Sequence, residues 1–208
     1  MGKWVLGIVA VVVTVTLVGG CVVGGTALSS YNTLVTKREA TKASWGQVEN
    51  VYQRRADLVP NLVETARGYA IHENETFVAV TEARAKVGQV NIKADQIPDA
   101  VSLAKFQQVQ GELSSAMSRL MVVMEKYPDL KANDLFRDLM VQMEGTENRI
   151  TVERRRYNEM ATDYNSTRNV FPTNVIANWF NFEAFPYFKA EEGANKAPKV
   201  DFKDLRKK

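Results

Sequence analysis

Apolar residues return at helical intervals along almost the whole chain. The plainest run goes from Phe136 through Met143, Ile150, Tyr157 and Tyr164 to Phe171, with Leu139 and Met160 at intervening positions. An apolar residue at every seventh position lays one seam along a long helix, and such a seam needs a partner helix to cover it. Phe106, Leu113, Leu120 and Tyr127, joined by Val109, Met117 and Met124, repeat the spacing on a second helix. Further upstream, Trp45, Val48 and Tyr52 and then Leu62, Ala66 and Tyr69 keep helical spacing on either side of RRADLVPNLV at 54–63. Between Tyr31 and Phe171 no alternating β-branched run bounded by Gly and Pro suggests a strand.

Breaker residues divide this pattern into elements. Pro98 suits the first turn of a helix over 98–127, Pro128 stops it, and Asp129 to Asn133 makes a connection short enough to force antiparallel neighbours. Gly88 opens a longer loop over 88–97. Pro60 is the difficult position. Were it only a kink, Tyr31 to Val87 would form one helix of about 85 Å facing a 98–127 segment of about 45 Å, and half of its apolar face would lie uncovered. A reversal at Pro60 gives helices near 31–58, 60–88, 98–127 and 131–169. Pro60 and Asn61 then open the second helix, while Arg54 and Arg55 occupy the last turn of the first and oppose the negative end of its dipole. Asp57 completes this junction, and a strongly kinked helix is the alternative. The expected fold is an all-α, antiparallel, up-and-down four-helix bundle over 31–171, preceded by a segment 1–30 and followed by an aromatic-rich segment and charged tail over 172–208.

The first thirty residues alter the picture most. Trp4 to Leu28 carries no charge across 25 positions, including Val5, Leu6, Ile8, Val11, Val15, Leu17 and Val22. As a helix it rises roughly 37 Å, enough to cross a hydrocarbon core of about 30 Å. One reading is an uncleaved spanning helix; the other is a lipoprotein signal in which Val18-Gly19-Gly20 precedes an acylated Cys21. The apolar run continues from Val22 to Leu28 past the cysteine, which favours the spanning helix. Lys37, Arg38 and Lys42 beyond it favour a cytoplasmic main domain by positive-inside counting, whereas the short basic lead and the small residues before Cys21 favour export. We read a single-pass protein of the bacterial cell membrane, with the bundle leaning to the extracytoplasmic side.

Composition then removes several function classes. The charge of +3 is the difference of 27 Lys plus Arg and 24 Asp plus Glu, so no basic field exists to hold nucleic acid. One cysteine allows neither an internal disulfide nor a cysteine-based zinc site, and no cofactor is implied. The single histidine, His72, stands near Glu73 and Glu75, a weak set for metal or proton transfer. No phosphate loop, nucleophile elbow or paired-histidine helix motif occurs. Arg154, Arg155 and Arg156 read as a solvated face shared with Glu147, Glu153 and Glu159. Thr146 and Glu153 enter the seam and need partners, for which Arg54 or Arg55 are expected. After the bundle, Phe171, Trp179, Phe180, Phe182, Phe185, Tyr187 and Phe188 crowd together. A fourth helix that returns toward the membrane would bring Trp179, Phe180, Phe182 and Tyr187 to the headgroups and the closing Lys203, Arg206, Lys207 and Lys208 to anionic lipid. The competing reading folds this stretch over the open end of the bundle as core.

The same residues carry a resemblance. YNTLV at 31, QRRADLVPNLVETARGYAIHE at 53, VTEARAK at 80, the long run from Phe106 to Phe136, GTENRITVERRRYNE at 145 and FPTNVIANWFNFEAFPYF at 171 resemble the bacterial LemA family over nearly everything after the anchor. The resemblance implies a membrane-attached four-helix bundle in a family whose biochemical activity is poorly defined, with one relative associated with magnetosome membrane formation. It also implies that some relatives begin as lipoproteins, with a cysteine directly before the YN motif. Here Cys21 to Ser30 intervenes, a departure that weakens the lipid reading.

The functional expectation is therefore a non-enzymatic, membrane-anchored scaffold or adaptor of the cell envelope. Its partners would be the lipid bilayer and membrane or envelope proteins, with self-association through Gly7, Gly19, Gly20, Gly24 and Gly25 or through the bundle surface. The rivals are an accessory or ligand-binding subunit of a membrane protease or other envelope complex, and a cryptic enzyme built on His72 with Arg54, Arg55 and Asp57.

Overall fold

The computed structural model describes residues 2–90, 92 and 98–189. Six helices follow one another: α1 Gly2–Arg67, α2 Asn74–Gln89, α3 Ala100–Met124, α4 Pro128–Ala132, α5 Asp134–Asn169 and α6 Thr173–Trp179. Among the described residues there is no strand, and the fold is all-α. The four long helices reverse direction in turn, as cross-helix pairs show. Lys37 meets Asp163 and Arg55 meets Glu147, so numbering rises along α1 as it falls along α5. Glu73 meets Tyr127 and Lys86 meets Glu112, which sets α2 against α3 in the same sense.

The seams read from the sequence are buried except at Tyr127 and Met160, which are only partly buried, and at Phe171, which lies past the end of α5 and is exposed. Phe106, Val109, Leu113, Met117, Leu120 and Met124 line α3, and Phe136, Leu139, Met143, Ile150, Tyr157 and Tyr164 line α5. Together with α1 and α2 they make two apolar clusters. The distal one joins Leu58, Val59, Leu62 and Ala66 of α1 to Phe77 and Val80 of α2, Leu113 and Leu120 of α3, Leu130 of α4 and Phe136 and Met143 of α5. The membrane-proximal one joins Leu34, Trp45, Val48 and Tyr52 of α1 to Leu103, Phe106, Ile150, Tyr157 and Tyr164, and is completed by Ala177, Phe182, Phe185 and Phe188.

The helix boundaries differ from the sequence expectation at its most difficult point. No reversal occurs at Pro60: α1 runs unbroken through it to Arg67, and the chain turns over Gly68 to Glu73 instead. Two physical facts explain this. Proline at 60 lacks the N–H that would bond the Ala56 carbonyl one turn back, and Arg84 of α2 supplies that bond, its Nε donating to the Ala56 oxygen at 2.8 Å. The supposed excess of apolar face is also covered, because α1 pairs with the 36-residue α5 rather than with α3 alone. What α2 is too short to reach, the chain after α6 covers.

Smaller differences have similar causes. Helix α3 starts at Ala100, not Pro98, because Asp99 caps it, its Oδ1 accepting from the Val101 and Ser102 amides at 2.8 Å each. The Ser102 hydroxyl, together with these amides, holds the Asp99 carboxyl below its ordinary range. Pro128 does end the region of α3, but it also opens the short helix α4, and Asn133 then caps α5 through the Phe136 amide. Gly88 lies inside α2 rather than at its end.

The repair of the Ala56 carbonyl makes a prediction. Arg84→Met should destabilise the protein by about 1–2 kcal/mol, the loss of a bond from a charged donor to a partly buried carbonyl. In the Pro60→Ala background the restored amide takes over, and the same change should cost less than half as much. Urea unfolding of the detergent-solubilised chain measures both.

Candidate functional site

Between the two apolar clusters lies one polar layer. Arg55, only 2% exposed, enters it from α1 and donates to Ser114 Oγ at 2.9 Å, Glu147 Oε1 at 3.0 Å and the Gln110 carbonyl at 3.1 Å, as well as to the Gln110 side-chain oxygen. Its guanidinium also lies over the Tyr52 ring, 5.1 Å from the centroid. The buried Thr146 closes the layer by returning its hydroxyl to the Gln142 carbonyl. Arg55 is thus a core residue in mid-helix, not a residue of a last turn. Its carboxylate partner is Glu147, not Glu153, because Glu147 is the one on α5 that reaches the level of Arg55.

The other residues named for chemistry do not converge. Arg54 is exposed, Asp57 is exposed and accepts from its own-helix neighbour Gln53 at 2.8 Å, and Pro60 and Asn61 lie on the outer face of α1. His72 sits exposed in the distal turn, beyond the end of α1. Asp57 lies ten positions, roughly 15 Å along the axis, before Arg67, the last residue of α1, and His72 follows in the turn beyond it. A cleft of about 280 Å³ between α1, α2 and α3 is lined by Glu49, Gln53, Arg84 and Gln110 over Trp45, Tyr52 and Phe106, and it includes none of Arg54, Arg55, Asp57 and His72. Among the described residues no group of His, Cys, Asp and Glu could hold a metal ion.

The membrane-proximal end is where apolar residues face outward. Helix α1 carries one window long and apolar enough to cross a membrane, with mean hydropathy 2.4 and none of it buried in the protein. Trp4, Ile8, Val15, Leu17, Val22 and Leu28 are exposed on it, Val5, Leu6 and Val11 lie in the same helix, and Cys21 is a free, exposed thiol. Three residues past Leu28, Tyr31 meets Phe180 with ring centroids 4.9 Å apart. The adjoining surface exposes Phe171 at 77%, Trp179 at 78% and also Val170, Val175 and Phe180. Phe182 does not belong to this surface. At 3% exposure it is core, with the Arg168 Nε donating to its carbonyl, and Tyr187 is half-exposed with its hydroxyl accepting from Asn165. The aromatic cluster is therefore divided: Phe171, Trp179 and Phe180 face out, while Phe182, Phe185 and Phe188 fill the bundle. The tail basic residues Lys203, Arg206, Lys207 and Lys208 lie outside the described residues.

The inward half is an extended segment, 182–189, that runs back along α5. Asn165 and Asn158 each bridge one of its residues, the amide oxygen accepting from the backbone N–H and the amide nitrogen donating to the carbonyl of Phe185 and of Phe188, all at 2.9 to 3.1 Å. The Tyr164 hydroxyl donates to the Glu183 carbonyl and the Tyr157 hydroxyl to the Pro186 carbonyl. Burial raises the pKa of both phenols. Arg154 of the arginine run and Gln107 both donate to the Lys189 carbonyl, while Arg155 makes an exposed contact to Glu159. The sequence did contain the signal for this clamp, an aromatic residue at every third position over 182–188, but a count of aromatics does not separate it from the exposed set.

A membrane-associated, all-helical protein is the class that these features define. The chain belongs to the LemA family, whose family profile matches residues 44–202. It is similar to the magnetosome proteins MamQ 1 and MamQ 2 of Paramagnetospirillum magneticum, 29% identical over 189 residues, covering 83% of this chain and 69% of each relative. It is also similar to the protein LemA of Metamycoplasma hominis, 26% identical over 161 residues, covering 77% of this chain and 69% of that one.

The polar layer gives a second prediction. Arg55→Met alone should destabilise by about 1–3 kcal/mol, because it leaves the buried Gln110 side chain without its donor. Adding Gln110→Leu should recover most of that loss, since an apolar replacement of both partners removes the stranded group. A double-mutant cycle by thermal unfolding reads the coupling.

Proposed function

We propose that the protein is a non-enzymatic scaffold of the bacterial cell envelope, held by a single spanning helix and seated on the bilayer through Phe171, Trp179 and Phe180. One observation carries this reading: α1 passes from the apolar span into the bundle without a break, and the exposed Phe180, next in the chain to Trp179, lies beside Tyr31, about one helical turn past Leu28. The indole of Trp179 at that level favours the headgroup region, and the apolar rings of Phe171 and Phe180 favour leaving water beside it. With no linker between span and bundle, the bundle's attitude follows the axis of α1, and a second contact on the bilayer surface fixes its rotation. The work is then done by surfaces held at a set height and angle, which suits a scaffold or adaptor for membrane or envelope proteins. The relatives called magnetosome proteins by name are consistent with such a role. The expected side is extracytoplasmic.

Two measurements test this. In liposomes, with Trp4→Phe removing the other exposed indole, shallow brominated lipids should quench Trp179; quenching no greater than that of the buried Trp45 would remove the bilayer seat. In intact spheroplasts the bundle should be cut by added protease, whereas protection until lysis would place it in the cytoplasm.

A further inference from the structure

Segment 182–189 is bound to the bundle in the way that a peptide ligand is bound. No regular backbone ladder holds it; side chains of α5 and α3 do. The carbonyls of Phe182, Glu183, Phe185, Pro186, Phe188 and Lys189 all accept from side chains, and the Phe185 and Phe188 amides donate to asparagine oxygens. Phe182, Phe185 and Phe188 fill the sockets beneath. The geometry of the match is periodic. Asn158 and Asn165 stand seven apart on a helix, about 10.5 Å, and read residues three apart on an extended chain, about 9.3 Å at 3.1 Å per residue. Tyr157 and Tyr164 repeat the same seven-to-three correspondence one step along, at Pro186 and Glu183. Such a ladder recognises an extended main chain with an aromatic residue at every third position.

None of these contacts requires the segment to come from the same chain. Its covalent connection is slight: a bend at 170–172, the seven-residue α6, and Asn181, whose φ of 52° is a left-handed joint immediately before the segment. Of α6, only Ala177 is buried. Residues 170–181, if opened, reach up to about 40 Å, and two helix diameters amount to about 20–24 Å. Copies anchored by α1 in one membrane present their grooves and segments at equal height and in one orientation, and confinement to a plane raises the effective concentration of each for the other. Exchange would preserve the side-chain contacts that α5 and α3 make to the segment and would give up the Phe182 amide bond to the Ala177 carbonyl and the packing of Ala177, so the balance between closed and exchanged forms depends on local density and on what opening the joint costs.

We propose that the groove along α5 is an exchange site, in which the 182–189 segment of one copy occupies the groove of a second copy of this chain. The proposal rests on the anchored reading above for the shared plane, and the test separates the two. Full-length chains of light and heavy isotopic composition, mixed in detergent and co-reconstituted into liposomes, carry a photo-cross-linking residue in place of the exposed Thr162, which flanks Phe188 and Lys189. Failure of the anchored reading appears as protein that does not float with the vesicles. Exchange predicts that, among adducts of position 162 with 182–189, a fraction rising toward roughly half joins light to heavy. An excess of synthetic peptide spanning 181–189 should suppress those mixed adducts, and the same peptide with Phe185→Ala and Phe188→Ala should not. Adducts that remain wholly light–light and heavy–heavy overturn the proposal. So do mixed adducts that the peptide leaves untouched, which would report neighbouring bundles rather than an occupied groove.

Discussion

Arg55 fixes the register of three helices at once. Its guanidinium is buried, and a donor stranded there costs about 1–3 kcal/mol; Nη1 and Nη2 both find acceptors, while Nε has none among the described residues. Acceptors are found at one height only, where Gln110 and Ser114 of α3 and Glu147 of α5 come level with it. Sliding α5 by one turn against α1 would move Glu147 about 5.4 Å and strand the charge. Apolar seams tolerate such slips far better, because one leucine resembles the next. The layer therefore does for this bundle what a polar core position does in a coiled coil: it selects one alignment of otherwise forgiving surfaces.

That layer also separates two cores of different construction. Distally, α1, α2, α3 and α5 all contribute apolar side chains, and α4 closes the end with Leu130. Toward the membrane α2 contributes nothing to the apolar cluster, so the lower half of α1 and α5 is shielded in part by α3 and lacks a fourth rod. Phe182, Phe185 and Phe188 fill the vacancy. Each such ring brings about 1.5–3 kcal/mol on burial, and Trp45 gathers Phe106, Tyr157 and Phe188 around it with centroids 5.5 to 5.8 Å apart. An extended segment suits this task because its carbonyls and amides can be satisfied by side chains already on α5, whereas another helix would need a longer chain.

Much of this was legible in the sequence where the cause is local and periodic. The seven-residue recurrence on α3 and α5 placed Leu113, Leu120, Ile150 and Tyr157 inside, and the charge-free run placed the apolar helix. What was hidden depended on partners distant in the chain. Pro60 looks like a terminator by every local rule, and only the Arg84 side chain, 24 positions on, makes it tolerable inside a helix. Arg55 beside Arg54 reads as a surface pair, and nothing local says that one faces Gln110 and the other solvent. Phe182 and Trp179 are likewise indistinguishable by type. Their fates are set by Asn165 and Asn158, which hold the one's segment against α5, and by the turn after α6, which leaves the other outside.

The continuity of α1 bears on what such a molecule can transmit. A flexible linker would uncouple the bundle from its span, and height above the bilayer would then be an average over many attitudes. A single helix of 66 residues, about 100 Å long, does not permit that. The same helix carries Lys37 and Arg55, which tie it to α5 through Asp163 and Glu147. The exposed ring of Phe180 lies against Tyr31 at the point where the span meets the bundle. The stretch of α1 where the apolar helix enters the bundle is thus also the stretch that segment 182–189 must cover for the lower core to exist.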